Sequence, residues 1–410
     1  MWAQVVFIAC GADIVAPGRN SPAALPNAGQ AEPEDGPEER SKYRKTGLLT
    51  GLLSSCRMAL LVSERYIPST VGFSMPFTTP DRTYDLAAMW PELGPLARTA
   101  VRLHPRHGDP AAEQSSIGGP LLWPIDEPWP TCSERHEWDS LRTLDEVFEY
   151  RRIMNLAWSR PGPHTPDSFT TEERAFLDSL REPGRGYSPG DEFRAAEAPL
   201  LPVAQLFTCD VPGLPFRDRF DLLQVLWCPY NHPETEAYWP AVQLRWRDTD
   251  QSVYEPVYPD GSTLVSSADY VPSRCVLAPE EVVEFPDMGL LSPELREAIK
   301  ATSERLDAFD YHDNALAPGW KANGHGQAWM IIDAYEVRCE CGAEAKPLLT
   351  ATSGEFGDLT SHWTPLEERD NAVNARRQYS CADVYLGRGY DLGIFHCGLD
   401  PKHPPVMEMS

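Results

Sequence analysis

Two apolar runs, each ended by a cysteine, dominate the hydrophobic pattern of this chain. Residues 203–209 (VAQLFTC) and 220–228 (FDLLQVLWC) flank a connector rich in Pro, Gly, Asp and Arg. Runs of this length bounded by turn residues predict two buried strands joined by a loop. The pattern returns late in the chain as PLLTATSGEF (347–356) followed by YDLGIFHC (390–397). Each second run opens on an aromatic residue, Asp and Leu, and ends on a cysteine with a histidine just beyond: Cys228 and His232, then Cys397 and His403. This spacing predicts a duplicated strand unit.

Other segments carry weaker signals. Residues 84–103 hold a short helical pattern (Leu86, Met89, Leu93, Leu96) that runs into the strand-like TAVRLH. SIGGPLLWPIDEPWPTC (116–132) contains Gly118-Gly119 and four prolines, which permit only brief extended pieces. Its Trp123 and Trp129 are candidate ligand-stacking residues, set against the alternative that they pack beneath the loop. Residues 134–197 are charged and helix-patterned, with Leu144, Val147, Phe148, Tyr150 and Met154 at helical spacing and a capping box at Thr170 and Glu173, and they predict a helical insertion. AVQLRWR (241–247) alternates as a half-buried strand does, and 282–285 reads as another. Residues 292–309 predict a helix with Ser292 as N-cap, Pro293 at the first helical position, and Leu295, Ile299, Leu306 and Phe309 on one face.

Composition narrows the picture. Forty prolines in 410 residues make long helices scarce. A formal charge of −25 without a Lys/Arg stripe argues against a sequence-independent nucleic-acid binder, because phosphate contacts need clustered cations. No run of eighteen uncharged apolar residues is present, so no membrane-spanning helix is expected. The apolar opening lacks the basic flank of a secretory signal, and the expected location is the cytoplasm. Residues 17–45 are Pro-, Gly-, Ala- and Glu-rich and predict disorder; 47–62 are apolar but broken by Arg57. Residues 1–75 are therefore read as a disordered or non-native extension, 76–410 as the folded body, and 317–410 as its second repeat.

Candidate chemistry centres on sulfur. Of the ten cysteines, Cys209, Cys228 and Cys275 sit within apolar runs and read as buried thiols. Cys339-Glu-Cys341-Gly differs: two thiolates one residue apart, followed by Gly, make a compact knuckle for a soft cation. Cys397 and His403 are the expected third and fourth ligands, with Cys381 and His396 in reserve, and a Cys3His set suits structural zinc. Cys228 and His232 also read as a thiol and a base, against the alternative of a strand-end thiol and a loop histidine. His104 and His107 flank Arg106 and read either as an anion contact or as an exposed polar turn. Glu280-Glu281 and Asp126-Glu127 are read as surface acids. No nucleophile elbow, phosphate loop, zinc-protease helix or dinucleotide fingerprint occurs, so no catalytic residue is named.

SIGGPLLWPIDEPWPTC, PVAQLF, FDLLQVLWCPYNH, YWPAVQLRWRD, RCECGAEAKPLLT and LGRGYDLGIFHC together resemble the actinobacterial branch of the YwqG-like family, a bacterial domain of unknown function, over about 86–403. The resemblance implies an α+β fold with an internal duplication and curved, largely antiparallel sheets. Similar members carry C-x-x-C where this chain has Cys339-Glu-Cys341, and a second Cys or Cys-His pair near the end, where this chain has Asp400 three residues after Cys397 and His403 further on. The resemblance brings no activity. The expectation is a non-catalytic binding or interaction protein for an unknown protein or small molecule, an immunity-type role against a basic partner being one form of it. The alternatives are an enzyme that unites the Cys228–His232 and Cys397–His403 strand ends around a small substrate, and a redox-responsive scaffold using Cys339 and Cys341.

Overall fold

The apolar runs become the middle strands of two sheets. The computed structural model describes residues 77–136, 141–160, 168–181, 198–232, 239–306, 309–326, 336–357, 359–369 and 381–410. The expectations for 1–75 lie outside them. Among the described residues there are five α-helices: α1 (Leu86–Met89), α2 (Leu144–Ser159), α3 (Thr171–Ser179), α4 (Pro293–Ser303) and α5 (Tyr311–Ala315). The strands of the two large sheets are β1 (Arg98–Arg102), β2 (Arg106–His107), β3 (Ser116–Ile117), β4 (Leu201–Phe207), β5 (Leu222–Trp227), β6 (Val242–Arg247), β7 (Cys275–Val276), β8 (Glu280–Glu284), β9 (Lys321–Asn323), β10 (Ala345–Thr352), β11 (Asp391–Cys397) and β12 (Val406–Met409). The fold is α+β, and no described helix is long and apolar enough to cross a membrane.

One sheet runs β6-β5-β4-β3-β7-β2 and the other β12-β11-β10-β9-β1-β8, with antiparallel pairing throughout. Shifting every strand by half the series turns the first order into the second, so β1–β6 and β7–β12 are two copies of one unit. The equivalence extends to single residues. β4 and β5 slip register between Pro202 and Ala204, and β10 and β11 slip between Pro347 and Leu349. Val101 faces Glu281, as Cys275 faces His107. Gly118 after β3 has φ +63°, and its counterpart Asn323 has φ +60°. Both types enter this left-handed region more readily than other residues.

The first strand of each copy is exchanged. β1 lies between β8 and β9 in the second sheet, and β7 lies between β2 and β3 in the first. Pro105 and Pro279, at equivalent places between the exchanged strand and the next, lack an amide for the ladder and mark the crossing. The main core accordingly draws on both sheets, including Ile117, Val225 and Trp227 from one and Val101, Leu348 and Ile394 from the other. Every residue of β5 is buried, as its unbroken apolar run predicts.

α2 packs Leu144 and Val147 into the main core, and α1, α4 and α5 contribute to a second cluster. Thr170 and Glu173 cap α3 reciprocally as expected, and Thr143 and Glu146 do the same for α2. Both helices fall between β3 and β4, whereas β9 and β10 lie much closer in sequence. α4 begins at the predicted cap, Ser292, but stops at Ser303 rather than continuing to Phe309. The Thr302 and Ser303 hydroxyls bond back to the carbonyls of Ala298 and Ile299, and Asp310 caps a new helix, α5. Phe309 still joins Leu295 and Ile299 in a second cluster with Leu86 and Leu93, while Leu306 is left largely exposed.

Candidate metal centres

β11 delivers Cys397 opposite Ala345 at the start of β10. Just before β10 the chain makes a tight knuckle. The Cys339 amide donates to the Ala343 carbonyl, the Gly342 amide donates to the Cys339 carbonyl, and Gly342 takes φ +84°, which suits the glycine at this position. Beyond β11 the Leu399 amide donates to Cys397 Sγ at 3.4 Å, and a turn on Asp400 brings His403 back. Cys341 Sγ lies 3.7 Å from Cys397 Sγ, and His403 Nδ1 lies 3.3 Å from Cys397 Sγ and 3.6 Å from Cys339 Sγ. All four donor atoms fall within 4.8 Å of one another and could hold a metal ion. Burial pushes the Cys397 thiol up, but the Leu399 and Asp400 amides, His403 and Cys341 outweigh it and bring it down to about 6. The expected set, Cys339, Cys341, Cys397 and His403, is thus brought together. The reserves are not part of it: Cys381 accepts from Cys275 Sγ through its carbonyl, and His396 Nδ1 lies against the carbonyl of Cys397.

A second cluster forms in the first repeat. The short strand Thr131–Cys132 pairs with Ala198–Pro199, which leads directly into β4 and places Cys132 opposite Ala198. Cys228 follows β5, its amide held by the carbonyl of Ala241. Contacts between the two segments are crossed: Cys228 Sγ lies 3.3 Å from His136 Nε2, and Cys132 Sγ lies 3.8 Å from His232 Nε2. All four residues are buried, and their donor atoms also fall within 4.8 Å. His232 Nδ1 sits 2.9 Å from a Glu134 carboxylate oxygen. Contact with Cys228 and then with the two histidines draws the Cys132 thiol far down, while burial pushes Cys228 up.

This arrangement keeps Cys228 and His232 in one cluster, although the 3.3 Å contact of Cys228 is with His136 of the other segment. It also separates the two strand ends, Cys228–His232 and Cys397–His403, which belong to different clusters rather than to one site. Cys132 and His136 are not singled out by sequence reasoning, although the repeated Cys-x-x-x-His spacing at 132–136 and 228–232 is visible there.

Other expected residues have structural employment. Trp123 is 2 % exposed, its Nε1 donates to the Glu127 carbonyl, and its ring meets Trp129 at 4.8 Å. Trp129 Nε1 donates to the carbonyl of Leu200. Trp123 is spent on packing within the apolar cluster holding Cys132 and Cys228, and the partly buried Trp129 packs against that cluster. His104 is buried rather than part of an exposed turn, with Nε2 3.0 Å from Glu280 Oε2. Glu127 grips Arg247 through both oxygens, so neither it nor Glu280 is a free surface acid. Compared with models of known families and with curated proteins, the sequence matches none.

Proposed function

We propose that this protein is a non-catalytic binding or interaction module whose second repeat is fastened by structural zinc at Cys339, Cys341, Cys397 and His403. The observation that carries this reading is the spacing of the four donors. Zn–S near 2.3 Å and Zn–N near 2.0 Å imply tetrahedral edges of about 3.8 Å between sulfurs and about 3.5 Å between sulfur and nitrogen. The distances of 3.7, 3.6 and 3.3 Å match those edges. Thiolate-rich donor sets suit zinc, and four protein ligands leave no open position for water or substrate, as in structural rather than catalytic sites. The kinship with YwqG-like proteins proposed from the sequence motifs fits the duplicated sheets and adds no reaction.

A binding role also has room in the fold. A cleft of about 620 Å³ lies at the far end of the β10–β11 pair, where Thr352 faces Asp391, and is lined by His312, Asp313, Tyr385 and Tyr390 among others. Its mix of carboxylates, hydroxyls and aromatic rings suits a small polar ligand. Cobalt substitution tests the closed-site reading. A four-coordinate spectrum that azide leaves unchanged is expected, with loss of this centre in Cys341→Ser; a spectrum shifted by azide would reveal an open, catalysis-competent position and overturn it.

A further inference from the structure

We propose that Cys132, His136, Cys228 and His232 form a second zinc site, a closed Cys2His2 centre that ties the first repeat as the Cys3His set ties the second. Four independent observations converge on it. The donor atoms lie within 4.8 Å of one another in a fully buried setting, and the two cross-segment contacts of 3.3 and 3.8 Å bracket the sulfur–nitrogen edge of about 3.5 Å expected around tetrahedral zinc.

The second observation is the outer shell. Glu134 holds His232 through Nδ1 and so presents Nε2 to the cluster. A carboxylate–imidazole–metal relay of this kind orients metal-bound histidines and raises their basicity. The third is the hydrogen-bond balance. His136 is 3 % exposed, and its Nδ1 has no partner among the described residues, so the ring's side-chain polar contacts are with the sulfurs of the cluster, Cys228 at 3.3 Å and Cys132. Two thiols and two imidazoles buried together satisfy one another poorly, since each thiol is a weak donor and a weak acceptor. A cation at their centre would engage one donor atom from each residue.

The fourth is the internal symmetry. Cys228 stands two residues beyond Leu226, the partner of Pro202 at the first register slip; Cys397 stands two residues beyond Phe395, the partner of Pro347 at the second. Cys132 faces Ala198 on the lead into β4, and the Cys339 amide binds the carbonyl of Ala343 on the lead into β10. The two clusters therefore occupy corresponding positions on the two copies of the unit, although the remaining ligands come from differently shaped loops. The first site is enclosed by Trp123, Leu226 and Tyr230. The second keeps Cys341 at the surface. This difference predicts slower exchange of metal at the first site.

Elemental analysis and X-ray absorption of the full chain, purified without an affinity metal, distinguish one centre from two. About two zinc ions per chain are expected, with an average shell between Cys3His and Cys2His2. His136→Ala should remove one ion and leave a Cys3His signature, whereas Cys341→Ser should remove the other and leave Cys2His2. One ion per chain in a pure Cys3His shell would overturn the second site and spare the first. Retention of both ions in His136→Ala would also overturn the assignment. The absorption measurement on the unaltered chain separates these outcomes even if a variant fails to fold.

Discussion

Cys228 and Cys397 occupy the same position in the two copies of the repeat, each two residues past the partner of a proline at a register slip. Each also belongs to a four-donor cluster. A metal ion held at that point would join the end of a central strand to a segment otherwise held by a few hydrogen bonds.

Removing metal should therefore loosen both repeats. Chelation at neutral pH is expected to lower the thermal midpoint in scanning calorimetry, and Cys228→Ser and Cys397→Ser should each cost about 3 kcal/mol or more. Chelator should add little to the double variant. An unchanged midpoint on exhaustive chelation would contradict a stabilising role.

Acid should weaken the fold through His104 even where metal plays no part. Burial lowers its pKa from 6.5 to about 4, so the native state binds fewer protons than the unfolded chain between those values. This stability is present above pH 6.5 and is lost as pH falls toward 4. The shift corresponds to about 3 kcal/mol. His104→Gln should flatten this part of the stability profile in urea titrations. Some slope should persist, because burial lowers His325 to about 4 as well. Metal release affects both proteins and largely cancels in the difference.

Lys321 and Glu284 form an ion pair, 1 % and 0 % exposed, at 2.5 Å. Glu284 also accepts from the amides of Ala317 and His325. Lys321→Met leaves a buried carboxylate and should cost about 3–5 kcal/mol. Replacing both partners by apolar residues should recover only part of that, since two buried amides then lose their acceptor. A double-mutant cycle followed by denaturant unfolding measures the coupling.

Gly118 and Asn323 share a backbone conformation but should respond differently to substitution. A Cβ at Gly118 would lie 2.5 Å from the Ser273 carbonyl oxygen at φ +63°, so Gly118→Ala combines a backbone clash with a disfavoured conformation and should cost more than about 2 kcal/mol. Asn323→Gly retains access to its φ of +60° and should stay within about 1 kcal/mol. Urea midpoints of the two variants check the asymmetry.

The five longest strands, β4, β5, β6, β10 and β11, and the knuckle are legible in the sequence because each carries its signal locally: an unbroken apolar run in β5, a Cys-x-Cys-Gly turn before β10. The exchange is not: β1 is foreseen as the strand-like TAVRLH, but not the sheet it joins. β7 is only Cys275–Val276, and nothing in two residues indicates which sheet they enter. Cys132 and His136 stay hidden for a related reason. Cys132 ends a proline-rich stretch without periodicity, His136 lies among charged residues read as the start of a helical insertion, and their partnership with Cys228 and His232 depends on Ala198–Pro199 running on into β4. Trp123 misleads because an aromatic residue in such a stretch looks the same in sequence whether it faces a ligand or the core.

The swap of β1 and β7 sets a rule for how the molecule can be made. When synthesis has passed β6, the first sheet still lacks a strand between β2 and β3, and β1 has no neighbours to join. Neither half of the gene encodes a finished sheet. Completion awaits late-emerging residues, and cutting the chain between β6 and β7 would yield two fragments that must find each other before either can close.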